Sequence, residues 1–366
     1  MILIHLQIIC IMILFIFLSY FLVISANISQ IGGKFRLRKE LSELTPLHAF
    51  FSSLFCGACW YELNKPRVQY ECFNDKNSEY INYLEVIRCF PKRFDELKEG
   101  LLGLVSQKIF NDIVKGILIP ENIIERAYFF YLLNKIGFSG STSKGSKDMG
   151  WKGFRGITTP NARFRGTTPP ALNEKIHDFE KNKANFRDIG GKGGFKGINP
   201  KTTRPYTNND MGVLTPLDPE AIIRLRYVVL TCYDFRKMYK MYHKAYFIKK
   251  GLTTECFIFA DPPYPSAEKY YGNMFKPEDH YNLIDIMVNT PFRFLLTIGG
   301  ECGFYIDALK DAGWYIIKTN VKYSTDANTQ KESIEYICMN YNIKKIPIMK
   351  YDDKQKTFFV SDKDEV

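Results

Sequence analysis

The chain has 366 residues, of which 46% are hydrophobic and 24% are charged. These proportions are ordinary for a globular protein and argue against a disordered chain. The net charge of +11 favours an anionic partner. The nine cysteines are odd in number and lie mostly in apolar runs, which fits buried free thiols in a reducing compartment and argues against a disulfide-based scaffold.

The first 26 residues contain no lysine, arginine, aspartate or glutamate and are long enough to cross a bilayer. A secretory signal would begin with basic residues, which are absent here. Basic residues follow closely (Lys34, Arg36, Arg38, Lys39), so an inserted segment would leave the body of the protein cytoplasmic. Two interpretations stay open: a membrane anchor for a cytoplasmic body, or a spurious upstream extension.

The next part predicts two strands and three helices. Leu37, Leu41 and Leu44 indicate a short helix, and residues 49–55 indicate a strand that ends in the small-residue loop Cys56-Gly57-Ala58-Cys59. Such a loop, between a strand and a helix, lets the backbone approach a ligand closely. A second strand over residues 68–73 precedes helices over residues 78–90 and 122–135.

Two side chains near this loop have alternative interpretations. Cys56 and Cys59 have the spacing of a redox pair or half a zinc site, but no second cysteine pair or histidine cluster accompanies them. Asp75 closes the second strand 18 residues after Gly57, where nucleotide-binding sheets place the carboxylate that accepts ribose hydroxyls. It could equally cap the helix that follows.

Positive charge is concentrated in residues 139–212. This segment has nine lysines and five arginines against six acidic residues, a balance of +8, together with twelve of the 25 glycines. Basic residues alternate with aromatic ones, as in the repeats Gly153-Phe154-Arg155-Gly156-Ile157 and Gly194-Phe195-Lys196-Gly197-Ile198. This pattern favours contact with nucleic acid, and a solvated flexible insertion is the alternative. The candidate DNA-binding side chains are Lys152, Arg155, Arg163, Arg165, Lys192 and Lys196.

The remaining sequence alternates between strands and helices. Strands are predicted over residues 226–231, 256–260, 293–298, 314–319 and 333–339, and helices over 233–242, from 277, and over 303–312. This alternation predicts an α/β fold with a mostly parallel, Rossmann-like sheet and an antiparallel edge. Residues 343–366 are polar and are predicted to form a peripheral tail.

The strongest chemical signal is Asp261-Pro262-Pro263-Tyr264, which directly follows the uncharged strand at residues 256–260. In open α/β sheets, ligands bind at the carboxyl ends of the strands, where this motif lies. The Asp261 carboxylate and the Pro262 carbonyl could each accept one N–H of an exocyclic amine, which would hold its nitrogen in a geometry that can attack an electrophile. Tyr264 offers a ring on which a flipped base can stack. The five scattered histidines form no set of metal ligands.

Taken in order, these motifs resemble the alpha-class DNA adenine N6-methyltransferases, the group of the bacterial DNA adenine methylase. Gly32-Gly33-Lys34 resembles the amino-terminal GGK motif, Phe55-Cys56-Gly57 the cofactor loop, Asn74-Asp75 the strand-end acid, and Asp261-Pro262-Pro263-Tyr264 the DPPY motif. The resemblance covers about residues 31–342. It departs from the family pattern at Ser53-Leu54, where the family usually has Glu-Pro, and at Cys59, where it has a second glycine.

The resemblance implies that S-adenosylmethionine is the methyl donor, that no metal is needed, and that adenine in double-stranded DNA is the acceptor. The implied cofactor contacts are Gly33, Lys34, Phe55, Gly57, Asp75 and Asp261, and the implied catalytic residues are Asp261, Pro262, Pro263 and Tyr264. Monomeric action is implied too, and a cognate restriction endonuclease stays open as a partner. N4-cytosine methylation and a degenerate relative that only binds DNA are the alternative functions.

The predicted organisation follows from these motifs. Residues 1–26 form the leader, 27–136 the cofactor-binding part of the catalytic domain, 137–212 a small helical or loop-rich target-recognition insertion, 213–342 the part with the DPPY motif, and 343–366 the tail.

Overall fold

The computed structural model of the protein describes residues 23–28, 32–99, 107–136, 217–271, 274–326 and 329–349. Its centre is a seven-stranded sheet with the strand order β3-β2-β1-β4-β5-β7-β6. Strands β1 to β5 run parallel to one another, whereas β7 is antiparallel to both β5 and β6. This confirms the predicted α/β class with a mostly parallel sheet and an antiparallel edge. The strands are β1 (Phe50–Ser53), β2 (Tyr70–Asn74), β3 (Val228–Thr231), β4 (Cys256–Ala260), β5 (Arg293–Gly299), β6 (Tyr315–Asp326) and β7 (Thr329–Met339).

Helices connect these strands. They are α1 (Arg38–Glu43), α2 (Ser78–Cys89), α3 (Pro91–Glu99), α4 (Gln107–Val114), α5 (Ile123–Ile136), α6 (Pro219–Leu225), α7 (Phe235–Met238), α8 (Pro277–Val288) and α9 (Gly303–Asp311). After α7 the chain continues as a π-helix over Tyr239–Phe247 and returns to the α conformation over Ile248–Lys250. The sequence pattern did not predict α3, α4 or α6.

Strand β4 lies at the middle of the protein and all five of its residues are buried. Side chains alternate between the two faces of a strand. Accordingly Phe257 and Phe259 pack into the core on one face of the sheet, while Ile258 and Ala260 pack into the core on the other. Burial on both faces explains why this strand reads as a continuous apolar run.

The direction of the strand order reverses between β1 and β4. From β1 the sheet proceeds through β2 to β3 on one side, and from β4 to β5 on the other. In open α/β sheets, ligands bind at such a reversal, outside the carboxyl ends of the strands. The fold therefore places the segments that follow Ser53 and Ala260 next to each other at the edge where ligands bind.

The Asn74 side chain connects strands at the carboxyl edge of the sheet. Its buried amide donates to the carbonyl oxygens of Leu54 (3.0 Å) and Tyr233 (2.9 Å). Its carbonyl oxygen accepts from the Thr231 hydroxyl and the Tyr233 N–H, each at 2.9 Å. One side chain thus joins the carboxyl ends of β1, β2 and β3.

Both ends of the described part of the chain contact the rest of the fold. Ile24 exchanges two hydrogen bonds with the Asn64 side chain, and Ala26 is buried. At the other end, Met349 donates its N–H to the Thr45 carbonyl. Both segments contain apolar side chains that the core covers.

Several predictions lie outside the described residues: residues 1–22 of the leader, the whole basic insertion with its six candidate DNA-binding side chains, and the chain from residue 350. Within the described ranges, no helix is long and apolar enough to cross a membrane.

The arrangement around Asn74 predicts a large effect of an isosteric change. Asn74→Asp replaces two donors by a carboxylate oxygen that faces two carbonyl oxygens, so we expect unfolding to become easier by roughly 2–4 kcal/mol. Urea denaturation measures this difference. Asn282→Asp, exposed on α8, is the matched control; equal effects of the two substitutions would contradict the role of Asn74.

Candidate functional site

Two chain segments meet at the reversal of strand order. After β1 the chain turns through Gly57 (φ 45°) and Cys59 (φ 56°), a left-handed conformation that a cysteine rarely adopts. Residues 60–64 then form hydrogen-bonded turns, with the Leu63 N–H donating to the Cys59 carbonyl. Because turns rather than a helix follow the loop, no helix N-terminus faces a ligand at this position.

After β4 the chain continues into the DPPY motif, whose acid is held by Lys34. The Lys34 ammonium lies 2.7 Å from Asp261 Oδ1, 2.6 Å from the Gly32 carbonyl oxygen and 3.9 Å from Glu335 Oε2. Lys34 and Glu335 are buried. The amino-terminal GGK segment is thereby attached to the carboxyl end of β4 through one lysine that faces two carboxylates.

The Asp261 carboxylate is bound on one oxygen only. Oδ1 accepts both the Lys34 ammonium and, at 2.9 Å, the Thr297 hydroxyl from β5. Within the part of the chain that the structure describes, Oδ2 accepts no hydrogen bond. Burial raises the pKa of Asp261, and the contacts with Lys34 and Thr297 oppose that rise. The carboxylate is held in a fixed orientation with one oxygen available to a ligand.

The Tyr264 ring packs against the end of β5. A methyl group at Gly299 would lie 2.6 Å from Tyr264 Cε2 and 3.2 Å from the Ile334 carbonyl oxygen, so this ring position requires glycine. The Lys34 ammonium lies 4.9 Å from the ring centroid. The hydroxyl is buried near the Glu335 carboxylate, but no hydrogen bond of good geometry joins it to the described residues.

Asp75 holds the β1 loop from the next strand. Its Oδ2 accepts the Gly57 N–H at 2.9 Å and its Oδ1 accepts the Asn77 N–H at 2.8 Å. Burial raises the pKa of Asp75 to about 6, although both hydrogen bonds favour the ionised form. The alternative that Asp75 caps α2 is wrong, because Asn77 is the N-cap and accepts the Glu79 N–H.

A cleft lies between the two segments. Four of the predicted cofactor contacts line it: Gly33, Lys34, Phe55 and Asp261. The other two, Gly57 and Asp75, are hydrogen-bonded to each other beside it. Pro262 and Pro263 are buried directly after Asp261. The structure thus gathers all the predicted catalytic and cofactor residues at one edge of the sheet.

The cleft contains a second acid, Glu62, which was not predicted from the sequence. Its side chain is buried and lines the cleft wall, and the Ser53 hydroxyl donates to its Oε1 at 2.6 Å. Burial raises the pKa of Glu62 to about 8, so at neutral pH the carboxyl holds a proton. Ser53 occupies the position where the resembled family has an acid, and the structure places a different acid against it.

Thr297 and Glu335 were also missed. Both come from strands that read as ordinary core, and their proximity to Asp261 depends on pairing across β5 and β7. A glutamate within the mostly apolar run of residues 334–339 was the available signal, because a buried acid needs a partner.

Comparison of the sequence with protein-family models and with curated proteins finds no match. Among the described residues, no group of histidine, cysteine and acidic side chains is arranged to hold a metal ion, and Cys56 and Cys59 are buried free thiols.

The Tyr264 contact predicts that Gly299→Ala is damaging. The added methyl group must displace the Tyr264 ring or strain two adjacent strands, which we expect to cost roughly 1–3 kcal/mol of stability. Thermal unfolding measures the cost. Gly303→Ala is the control, because nothing lies within 4 Å of a methyl group there. A Gly299→Ala protein as stable as Gly303→Ala would contradict the described packing.

The raised pKa of Glu62 predicts a pH-dependent effect of Glu62→Gln. The unfolded chain releases the Glu62 proton near the ordinary pKa of 4.5, and the folded protein only near 8. Stability from this group is therefore complete below pH 4.5 and is lost as the pH rises to about 8. Glutamine does not titrate, so relative to wild type the variant should gain roughly 1–3 kcal/mol between pH 5 and pH 9. Urea denaturation at both pH values checks this, and a constant difference would contradict the assignment.

Proposed function

We propose that the protein transfers a methyl group from S-adenosylmethionine to the N6 amine of adenine in double-stranded DNA. One observation carries the proposal: Asp261, at the end of β4 and at the reversal of strand order, keeps Oδ2 available while Lys34 and Thr297 hold Oδ1. A fixed acceptor in this position suits an amine that must be oriented before it reacts.

The residues of the cleft fit the cofactor. The amino-acid end of S-adenosylmethionine carries an ammonium and a carboxylate, and the cleft offers both acidic groups and the Lys34 ammonium. Its sulfonium is cationic, which suits a site where two acidic side chains, Asp261 and Glu335, face one lysine. Each oxygen of Asp75 accepts one backbone N–H and retains a lone pair for a ribose hydroxyl.

When bound, the cofactor supplies an electrophilic methyl group on a positively charged sulfur. Asp261 Oδ2 and the Pro262 carbonyl would each accept one N–H of the target amine and so direct the nitrogen lone pair toward the methyl carbon. The cofactor would supply the methyl group to this nitrogen, and its sulfur would keep the electron pair of the C–S bond. Asp261 stabilises the positive charge that develops on nitrogen until the amine loses a proton to solvent.

The positive charge of the basic segment and the position of the Tyr264 ring support a base in DNA as the methyl acceptor. The basic segment at residues 139–212 carries +8, enough to contact several phosphates of a duplex. Tyr264 lies beside Asp261 and offers a ring near the proposed amine position. A base that reaches Asp261 must leave the duplex stack, and an aromatic ring at that point can support it.

The direct test is to express the full chain in cells that lack adenine methylation and to map modified bases in their DNA. We expect N6-methyladenine at a defined sequence. N4-methylcytosine instead would move the activity to the other exocyclic amine, and folded protein that binds DNA without methylating it would support the degenerate alternative. Either result would overturn the proposal.

Substitution at Asp261 tests the mechanism separately. Asp261→Asn is expected to lower the rate of methyl transfer to DNA by roughly 10²–10³-fold, because an oriented charged acceptor is lost. Transfer of radiolabelled methyl groups by purified protein measures the rate. Asp307→Asn, exposed on α9, is the matched control. Full activity of Asp261→Asn would show that another group orients the amine.

A further inference from the structure

Glu62 is the one acid of the cleft that the proposed chemistry leaves without a role. It is 2% exposed, and its side chain and backbone are both fixed. The Ser53 hydroxyl donates to Oε1 at 2.6 Å, and Arg224 donates to the Glu62 carbonyl oxygen at 3.1 Å. Arg224 is itself buried in an ion pair with Glu71. These contacts hold the Glu62 carboxyl group in a fixed position.

The groups around Glu62 do not neutralise it. The lysine nearest in sequence, Lys65, is 2.5 Å from Glu71 Oε1 and acts on Glu62 only through space. On the other side of the cleft, Lys34 pairs with Asp261, whose negative charge acts against ionisation of Glu62. Within the described residues, no basic side chain forms an ion pair with Glu62. A cation that enters the cleft would therefore stabilise the ionised form of Glu62.

The charges of the cleft indicate which end of a ligand it receives. It offers a cation at Lys34 and acids at Glu62 and Asp261. That combination matches a zwitterionic α-amino acid group, with its ammonium and carboxylate on one carbon, better than it matches a nucleoside.

We infer that Glu62 binds the α-ammonium group at the amino-acid end of the methyl donor, while Lys34 binds the α-carboxylate. The inference rests on the proposed function and assigns a part of the ligand to a residue outside the motifs. Because Asp261 is needed for the target amine, the ammonium requires a separate acid. Ser53, at the end of β1, does not line the cleft and instead orients the acid that does.

Ligand truncation tests this assignment without relying on activity. S-adenosylhomocysteine carries the amino-acid end, whereas 5′-methylthioadenosine lacks it. Isothermal titration of the full chain should show that Glu62→Gln weakens binding of S-adenosylhomocysteine by about tenfold or more and leaves binding of 5′-methylthioadenosine within about twofold. Glu79→Gln, on α2 and away from the cleft, should change neither affinity.

Proton release gives a second readout. Glu62 holds a proton in the free protein at pH 7, so an ammonium that binds it should expel that proton. Lys65 and Asp261, the charged groups that face Glu62, are the same in the complexes with S-adenosylhomocysteine and with 5′-methylthioadenosine. Titrations in buffers of different ionisation enthalpy should therefore detect release of up to one proton on binding S-adenosylhomocysteine by wild type. We expect none for 5′-methylthioadenosine or for the Glu62→Gln variant.

The outcomes separate the two proposals. If wild type binds S-adenosylhomocysteine and Glu62→Gln binds it equally well, the assignment of Glu62 is wrong while the proposed function stands. If the variant loses both ligands to the same extent, Glu62 only supports the fold and the assignment is again wrong. If wild type binds neither ligand, the proposed function fails, and the assignment fails with it.

Discussion

The ion pair between Lys34 and Asp261 is the interaction on which the site depends. It joins the amino-terminal GGK segment to the end of β4 at 2.7 Å, in a setting where Lys34 is almost fully buried. Breaking a buried pair leaves an uncompensated charge, so each partner is needed to keep the other in place. Glu335 shares the same lysine at 3.9 Å, and burial raises the pKa of both carboxyl groups. An excess of acids over bases around one lysine makes the cleft receptive to a cationic ligand.

Local patterns predicted most of the sheet. Strand β4 was predicted to the residue, because an apolar run bounded by proline has one interpretation. The hairpin β6–β7 is longer than predicted. Strand β5 pairs only with the inner half of β7, and the outer half, whose sequence is mostly polar, pairs with β6 alone. The π-helical turn after α7 also has no simple sequence signature. Tertiary contacts set these features, and periodicity does not record them.

The residues of the candidate site also fall into those that short motifs predicted and those that only tertiary contacts bring together. Asp261 and Lys34 were predicted because they stand in short motifs of unusual composition, and the structure brings them into contact. Glu62 was missed because it lies in a turn without a motif around it. Glu335 was missed because its proximity to Asp261 depends on the antiparallel pairing that places β7 beside β5, although its position in an apolar run was a signal. The apparent loss of an acid at Ser53 illustrates the limit of motif comparison. A hydroxyl at that position and a glutamate nine residues later together place a carboxyl group where one side chain could have done so.

The most direct measurement is a crystal structure of the protein with S-adenosylhomocysteine. The account predicts that the ligand lies across the carboxyl ends of β1 and β4, with its amino-acid end between Lys34 and Glu62, its ribose at Asp75, and its sulfur facing Asp261. A ligand bound at another edge of the sheet, or in this cleft with its amino-acid end directed away from Lys34 and Glu62, would contradict the account.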